Sequence, residues 1–309
     1  MEKYTEKKLK NQLLQMLISP HVSEATLLNI NECNTFMLFV ADKTLEHKKL
    51  YGSNSCKNRF CPVCAWRKAR KNALKISILM EYLKAEENKE FIFLTLTAPN
   101  VKADDLNDEI KHYNQSFKRL IERKEVKNAV RGYVRKLEVT YNKDRDDYHP
   151  HFHVILAVDK HYFNNQRQYI IRDRWLELWQ QSMKNPLITQ VDVRRVKHTD
   201  NKKEVSEIAK YSAKDSDYLQ DETVFDTFYK TLTGKRLIVY SGLFKDASKL
   251  YENKKLEHYK EMDLTYYIYK IFYHWNRQDY IQTENKLMSE DMQKEVNNQM
   301  LDEENFEEE

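Results

Sequence analysis

Tyr133-Val-Arg-Lys-Leu-Glu-Val-Thr-Tyr141, Asn142-Lys-Asp-Arg-Asp-Asp147 and His149-Pro-His-Phe-His-Val-Ile-Leu-Ala-Val158 follow one another in this chain. The outer stretches alternate as strands do and the middle one is a polar turn, so the three read as a β-hairpin. Successive side chains on a strand point to opposite faces. Phe152, Val154, Leu156 and Val158 therefore share one face, and His151 and His153 the other. On the first strand Leu137, Val139 and Tyr141 alternate with Lys136, Glu138 and Thr140. Matching the apolar faces across a turn near residue 145 sets Glu138 opposite about residue 152, beside both histidines on a face left open. Two imidazoles and one carboxylate suit a divalent ion, Mg²⁺ or Mn²⁺, that keeps open positions for chemistry. Two alternating histidines alone would read equally well as solvated residues; the register-matched Glu138 favours a metal. His149, just before a proline, reads as a turn or supporting residue.

The flanks extend the pattern. Phe91 to Thr97 reads as a strand ended by Pro99, with Ile92, Leu94 and Leu96 toward the core and Thr95 and Thr97 toward the histidines. Leu106 to Ile121 and Phe163 to Met183 have helical spacing, and Leu187 to Val196 reads as a strand. The order β-α-β-β-α-β predicts an α+β fold with a ferredoxin-like (RRM-like) antiparallel sheet. A helix over 202–218 follows. On it Glu207, Tyr211, Lys214 and Tyr218 form one stripe. The phenol could attack phosphorus, Lys214 could stabilise phosphate charge and Glu207 could activate water. Spacing alone leaves the stripe equally readable as a solvated face with Tyr211 packed on the sheet.

Upstream, residues 3–18 read as a helix with apolar Leu9, Leu13, Leu14 and Leu17. The cysteines are Cys33, Cys56, Cys61 and Cys64. The C-x2-C knuckle at Cys61 and Cys64 lets two thiolates reach one tetrahedral ion, and a structural Zn²⁺ wants four ligands. Cys33 completes an all-cysteine set, with His47 as the competing fourth ligand. Ser53 to Lys75 holds seven Lys or Arg and no acid. Lys57, Arg59, Arg67, Lys68, Arg70 and Lys71 are thus the candidate contacts to DNA phosphates.

Composition narrows the class. The chain has 309 residues and a formal net charge of +4. The last eight residues, Asp302 to Glu309, hold six acids and no base, and without them +4 becomes +10. An anionic partner such as nucleic acid is expected. Four glycines, Gly52, Gly132, Gly234 and Gly242, cannot build a Walker A loop or a dinucleotide fingerprint. Phosphate must then be held by Lys, Arg or a metal. No targeting or membrane-spanning stretch is apparent, so a cytoplasmic location is expected, where cysteines favour metal over disulfides.

Together, Phe93-Leu-Thr-Leu-Thr97, His149-Pro-His-Phe-His153-Val and Glu207-Ile-Ala-Lys-Tyr211-Ser-Ala-Lys214-Asp-Ser-Asp217 resemble the plasmid rolling-circle replication initiators of Gram-positive bacteria. That family lies within the HUH endonuclease superfamily, and the likeness is to its single-tyrosine branch on small staphylococcal plasmids. Cys56 to Cys64 with Trp66-Arg67-Lys68 looks like the family's N-terminal cysteine segment. The resemblance covers about residues 30–245, including Gly234-Lys-Arg-Leu and Tyr240-Ser-Gly-Leu-Phe-Lys. It implies that Tyr211 nicks one strand at the double-strand origin, leaving a 5′-phosphotyrosine and a priming 3′-hydroxyl. It implies that Glu207 later activates water to end the round, and that His151 and His153 carry the metal. Host helicase and DNA polymerase become expected partners, and the oligomeric state stays open, a dimer included. Rival readings are an HUH transposase or mobilisation relaxase, and a non-enzymatic zinc-ribbon regulator. The expected partition is an N-terminal zinc segment with a basic helix (1–85), an endonuclease core (86–220), a helical C-terminal extension (221–301) and a disordered acidic tail (302–309).

Overall fold

The computed structural model describes residues 1–196, 202–209, 213–260 and 263–298. Helices α1 (Glu2–Ile18) and α2 (Glu24–Asn31) lead to strands β1 (Phe36–Ala41) and β2 (Lys48–Ser53) and to the long helix α3 (Pro62–Ala85). Next come β3 (Lys89–Leu96), α4 (Ala103–Glu122), α5 (Lys124–Ala129), β4 (Val130–Asn142), β5 (Asp147–Asp159), α6 (Arg172–Met183) and β6 (Val191–Arg195). Helices α7 (Lys202–Ala209), α8 (Asp215–Tyr218) and α9 (Glu222–Leu232) precede β7 (Ile238–Gly242) and α10 (Leu243–Glu252). The last described elements are β8 (Tyr269–Trp275), β9 (Tyr280–Leu287) and α11 (Glu290–Asn298).

Two compact units result. One is Asn72–Lys260; the other joins Met1–Lys71 to the chain from Glu261 onward. These boundaries differ from the expected partition, because the C-terminal region holds strands as well as the helices α9, α10 and α11. Strand β7 joins the core sheet, β8 pairs with β1, and β9 pairs with β8. The aromatics of 266–275 that suggested helix instead serve a strand, a setting aromatic side chains favour as much. Residues 302–309 lie outside the described residues.

In the 72–260 unit a five-stranded antiparallel sheet has the order β6-β3-β5-β4-β7. Helices α4 and α6 cover one face, where Tyr113 and Phe117 meet Phe152 edge-on and Trp179 donates its indole N–H to the Thr97 carbonyl. The other face was expected to be open. It is covered over much of its length by the second half of α3, by α7 and by α10, through Ile76, Leu79, Val205, Ile208 and Phe244 packed on Phe91, Phe93, Val134, Ile155 and Ala157. Strand β5 is consequently buried on both sides from Pro150 to Val158. Two of the four glycines serve the β4–β7 contact. A Cβ at Gly242, which has φ +54°, would stand 2.3 Å from the Arg131 carbonyl oxygen. One at Gly132 would stand 2.7 Å from both the Leu243 nitrogen and the Ser241 carbonyl oxygen.

The expected helix over 202–218 is interrupted. It appears as α7 and α8, with Lys214 in extended conformation ahead of α8. Lys214 therefore does not continue a stripe from Glu207, and Tyr218 is buried against Phe225 and Phe228. The Asp215-Ser-Asp217 run favours a helix start over a helix interior, because such side chains compete for backbone hydrogen bonds.

The other unit has a four-stranded antiparallel sheet of order β2-β1-β8-β9. On one side Tyr4 of α1 meets Phe39, Trp66 and Tyr280 edge-on. On the other, Val40 packs with Tyr267, Met288 and Val296. The face that α1 buries is only half of the leucine set expected from its spacing. Leu14 and Leu17 are buried, but Leu9 and Leu13 are exposed, and Lys8 and Asn11 are buried in their place. Both polar residues are drawn inward by the cysteine cluster.

Candidate active site and zinc centre

The hairpin register brings the first site together. Glu138 on β4 is directly opposite His151 on β5, one position from the register expected, and Lys136 is opposite His153. Thr95 of β3 flanks His153 on its other side. Glu138 Oε2 lies 3.3 Å from His153 Nε2 and 3.9 Å from His151 Nε2. The three side chains are nearly buried, and one ligand atom from each falls within 4.8 Å of the others.

Each ring is held by its other nitrogen. His151 Nδ1 lies 3.2 Å from the His149 carbonyl oxygen, to which it must donate, so Nε2 turns a lone pair toward Glu138. Two acceptors then face one another at 3.9 Å, an arrangement that a cation between them would relieve. His153 Nδ1 is 3.2 Å from Thr95 Oγ1, and its ring stacks on Phe93. His149 stacks behind His151 and is not one of the three grouped residues, in keeping with a supporting place. One anionic oxygen and two imidazoles fit a divalent metal.

Electrostatics support the same state. Burial pushes the Glu138 carboxyl up, but the His153 hydrogen bond and the charge of Lys136 hold it well below the usual carboxylate range. Burial pushes His151 down to about 4 from 6.5, against the opposing pull of Glu138. At neutral pH the set is thus a carboxylate with a neutral His151. Without metal, the unfolded chain binds a proton below pH 6.5 that folded His151 refuses until about pH 4. This contribution to stability is complete above 6.5 and lost as pH falls toward 4, at about 1.4 kcal/mol per unit. Metal-stripped protein should therefore lose about 2 kcal/mol between pH 7 and pH 5 that a His151→Gln variant does not lose. Thermal melts of both proteins at the two pH values check this; identical pH dependence would refute it.

The second cluster is Cys33, Cys56, Cys61 and Cys64. Cys33 Sγ lies 3.4 Å from Cys64 Sγ and 3.6 Å from Cys61 Sγ, and Cys56 Sγ is 3.7 Å from Cys64 Sγ. These separations exceed a disulfide bond of about 2.05 Å. They approach the roughly 3.8 Å edge of a tetrahedron whose centre is about 2.3 Å from each sulfur, as in zinc sites. Asn34 Nδ2 donates to Cys33 Sγ at 3.0 Å and Asn11 Nδ2 to Cys61 Sγ at 3.2 Å. Buried Lys8 donates to the carbonyls of Cys33 and Asn31 at 2.6 and 2.8 Å. Three neighbouring thiols converge on Cys33 and hold it below the ordinary thiol range. The competing ligand His47 instead faces Asp42, with Nδ1 3.1 Å from Oδ2, and is outside the cluster. A structural Zn²⁺ fits this donor set.

With both centres in view, comparison with known proteins is informative. Residues 47–281 match the family model described as "Replication protein". A Staphylococcus aureus protein named "Protein rep" is 60% identical over 219 residues, 71% of this chain and 95% of that protein. A Bacillus amyloliquefaciens "Protein rep" is 37% identical over 243 residues, 71% of each. A Lentilactobacillus hilgardii "Protein rep" is 34% identical over 259 residues, 80% of this chain and 81% of that one. The chain belongs to the replication protein family. No solved structure matches it. The family match includes Glu138, both histidines, Glu207 and three of the four cysteines; Cys33 precedes it. It also runs beyond the expected limit near 245 and takes in β8.

The remaining expected residues divide. Tyr211 lies outside the described residues. Glu207 belongs to the last turn of α7, and its carbonyl accepts a hydrogen bond from Lys136 Nζ at 3.1 Å. Lys214 is exposed. Among the basic residues of this replication protein, Lys57, Lys68 and Lys71 are exposed, while Arg59, Arg67 and Arg70 are partly buried. Arg67 donates to Ser53 Oγ and Ser55 Oγ, both at 2.8 Å, and so braces the cysteine-bearing segment. Arg70 sits over the Trp66 ring. Sequence reasoning assigned no role to Lys136 or Lys8. Both are buried ammonium groups beside a metal-type cluster. For Lys136 the signal was present: a charge on the same strand face as Glu138.

Proposed function

We propose that this replication protein initiates plasmid rolling-circle replication by nicking one strand of the double-strand origin with Tyr211. The observation that carries the reading is the assembled Glu138, His151 and His153 group, which Lys136 links to Glu207 of α7, four residues before Tyr211 in sequence. The order β6-β3-β5-β4, with helices after the first and third of these strands in the chain, supports a ferredoxin-like core of the HUH type. The Tyr211 oxygen attacks phosphorus, the bond to the 3′ oxygen breaks, and that oxygen takes up a proton as the priming 3′-hydroxyl. The 5′ phosphate stays on the tyrosine. A bound Mn²⁺ or Mg²⁺ supplies Lewis-acid polarisation of a phosphate oxygen. Glu138 and the two imidazoles hold that ion, and Thr95 and the His149 carbonyl fix the rings. Glu207 is assigned to activating water when the regenerated origin is cut, and Lys214 to a screening charge at the phosphate. The structural Zn²⁺ at the four cysteines organises the segment bearing Lys57, Arg59, Arg67, Lys68, Arg70 and Lys71, of which exposed Lys57, Lys68 and Lys71 contact origin DNA. Host helicase and polymerase, acting in the cytoplasm, complete the reaction.

The test is direct. With Mn²⁺ and a supercoiled plasmid carrying the origin, the protein should give relaxed circles with protein on the new 5′ end. His151→Ala should reduce nicking by about 100-fold or more while the fold persists. Unimpaired nicking by His151→Ala, or by chelator-treated protein, would remove the metal from the reading.

A further inference from the structure

We propose that Lys136 is a positioning residue that ties the metal-binding carboxylate to the C-terminal end of α7. Its side chain is fully buried. Its ammonium donates to Glu138 Oε2 at 3.0 Å and to the Glu207 carbonyl oxygen at 3.1 Å. The contact falls in the last described turn of α7, which covers Lys202–Ala209.

The placement is costly. A buried ammonium loses several kcal/mol of hydration, which its partners must restore. The neighbouring position on the same strand face is Val134, and Ile238 lies opposite on β7, so an apolar side chain would suit the packing. What the ammonium adds is a rigid link between two elements distant in sequence, β4 and α7. A shift of α7 would pull on Glu138, and a displaced Glu138 would release α7. The link itself is read from distances alone; its consequence for DNA cleavage rests on the function proposed above.

The experiment separates the two. Lys136→Met keeps length and removes the donor; Lys136→Arg keeps charge and donors. Hydrogen exchange of the full-length protein is followed for the peptide covering α7. The same proteins are assayed with Mn²⁺ on a single-stranded origin oligonucleotide. In Lys136→Met, exchange in α7 should rise about tenfold while the helices on the opposite sheet face keep their protection. Turnover at saturating DNA and Mn²⁺ should fall about 10- to 100-fold, the usual cost of losing the outer partner of a metal ligand, with KM for DNA little changed. Lys136→Arg should recover part of both losses. If α7 exchanges as in the parent, the clamp is refuted, whatever happens to turnover. If the parent does not cleave but α7 loosens in Lys136→Met, the clamp stands and the proposed function falls. Should Lys136→Met fail to fold, Lys136→Gln, which keeps a donor without charge, serves the same comparison.

Discussion

Tyr211→Phe should abolish covalent attachment to origin DNA and lower nicking by at least about 10⁴-fold. Losing a catalytic nucleophile in other enzymes costs up to about 10⁶. The substitution removes one oxygen and leaves the aromatic ring, so folding, zinc content and Mn²⁺ binding should match the parent. Tyr218, next on the expected stripe, is buried in the core and does not replace it in the proposed chemistry. The readout is a denaturing gel of 5′-labelled product, where parent protein retards the label and the variant does not. A retarded band of equal intensity from Tyr211→Phe would show that another residue is the nucleophile.

Substituting Cys61→Ser should be the most damaging change to the fold. The four sulfurs come from the segment after α2, the segment after β2 and the N-terminal end of α3. One ion would therefore cross-link three parts of one sheet-and-helix unit. Structural zinc sites have apparent binding free energies of about 10–16 kcal/mol, as large as the whole stability of a typical domain. Cys61→Ser should lose the bound zinc and the cooperative melting of this unit. Amides of β3 and β5 should stay protected in the other. Metal analysis and hydrogen exchange read these outcomes separately. A parent free of zinc, or a variant that melts with it, would make the cluster a set of packed thiols.

The hairpin was legible because its alternation is clean, and Glu138 was misplaced by only one position. The covered histidine face was not legible. His151 and His153 continue on the same face as Ile155 and Ala157, so one face turns from polar to apolar along its length. A reading that assigns one apolar face per strand cannot register that change. The pairing of β8 with β1 joins segments from opposite ends of the chain, and no local periodicity reports it. Lys8 and Lys136 were passed over because charge on a helix or strand ordinarily means solvent. Here each ammonium is used inside, where it donates to main-chain carbonyls.

The split unit has a consequence for how the protein is made. All five strands of the 72–260 sheet are synthesised before β8. Until then β1 has only β2 beside it, and its other edge stays unpaired. An interrupted translation product ending near residue 260 would carry the complete five-stranded sheet and all four thiols, yet half the strands of the sheet next to those thiols would be missing. The cysteine-bearing unit thus becomes whole only on chains that have been translated through β9.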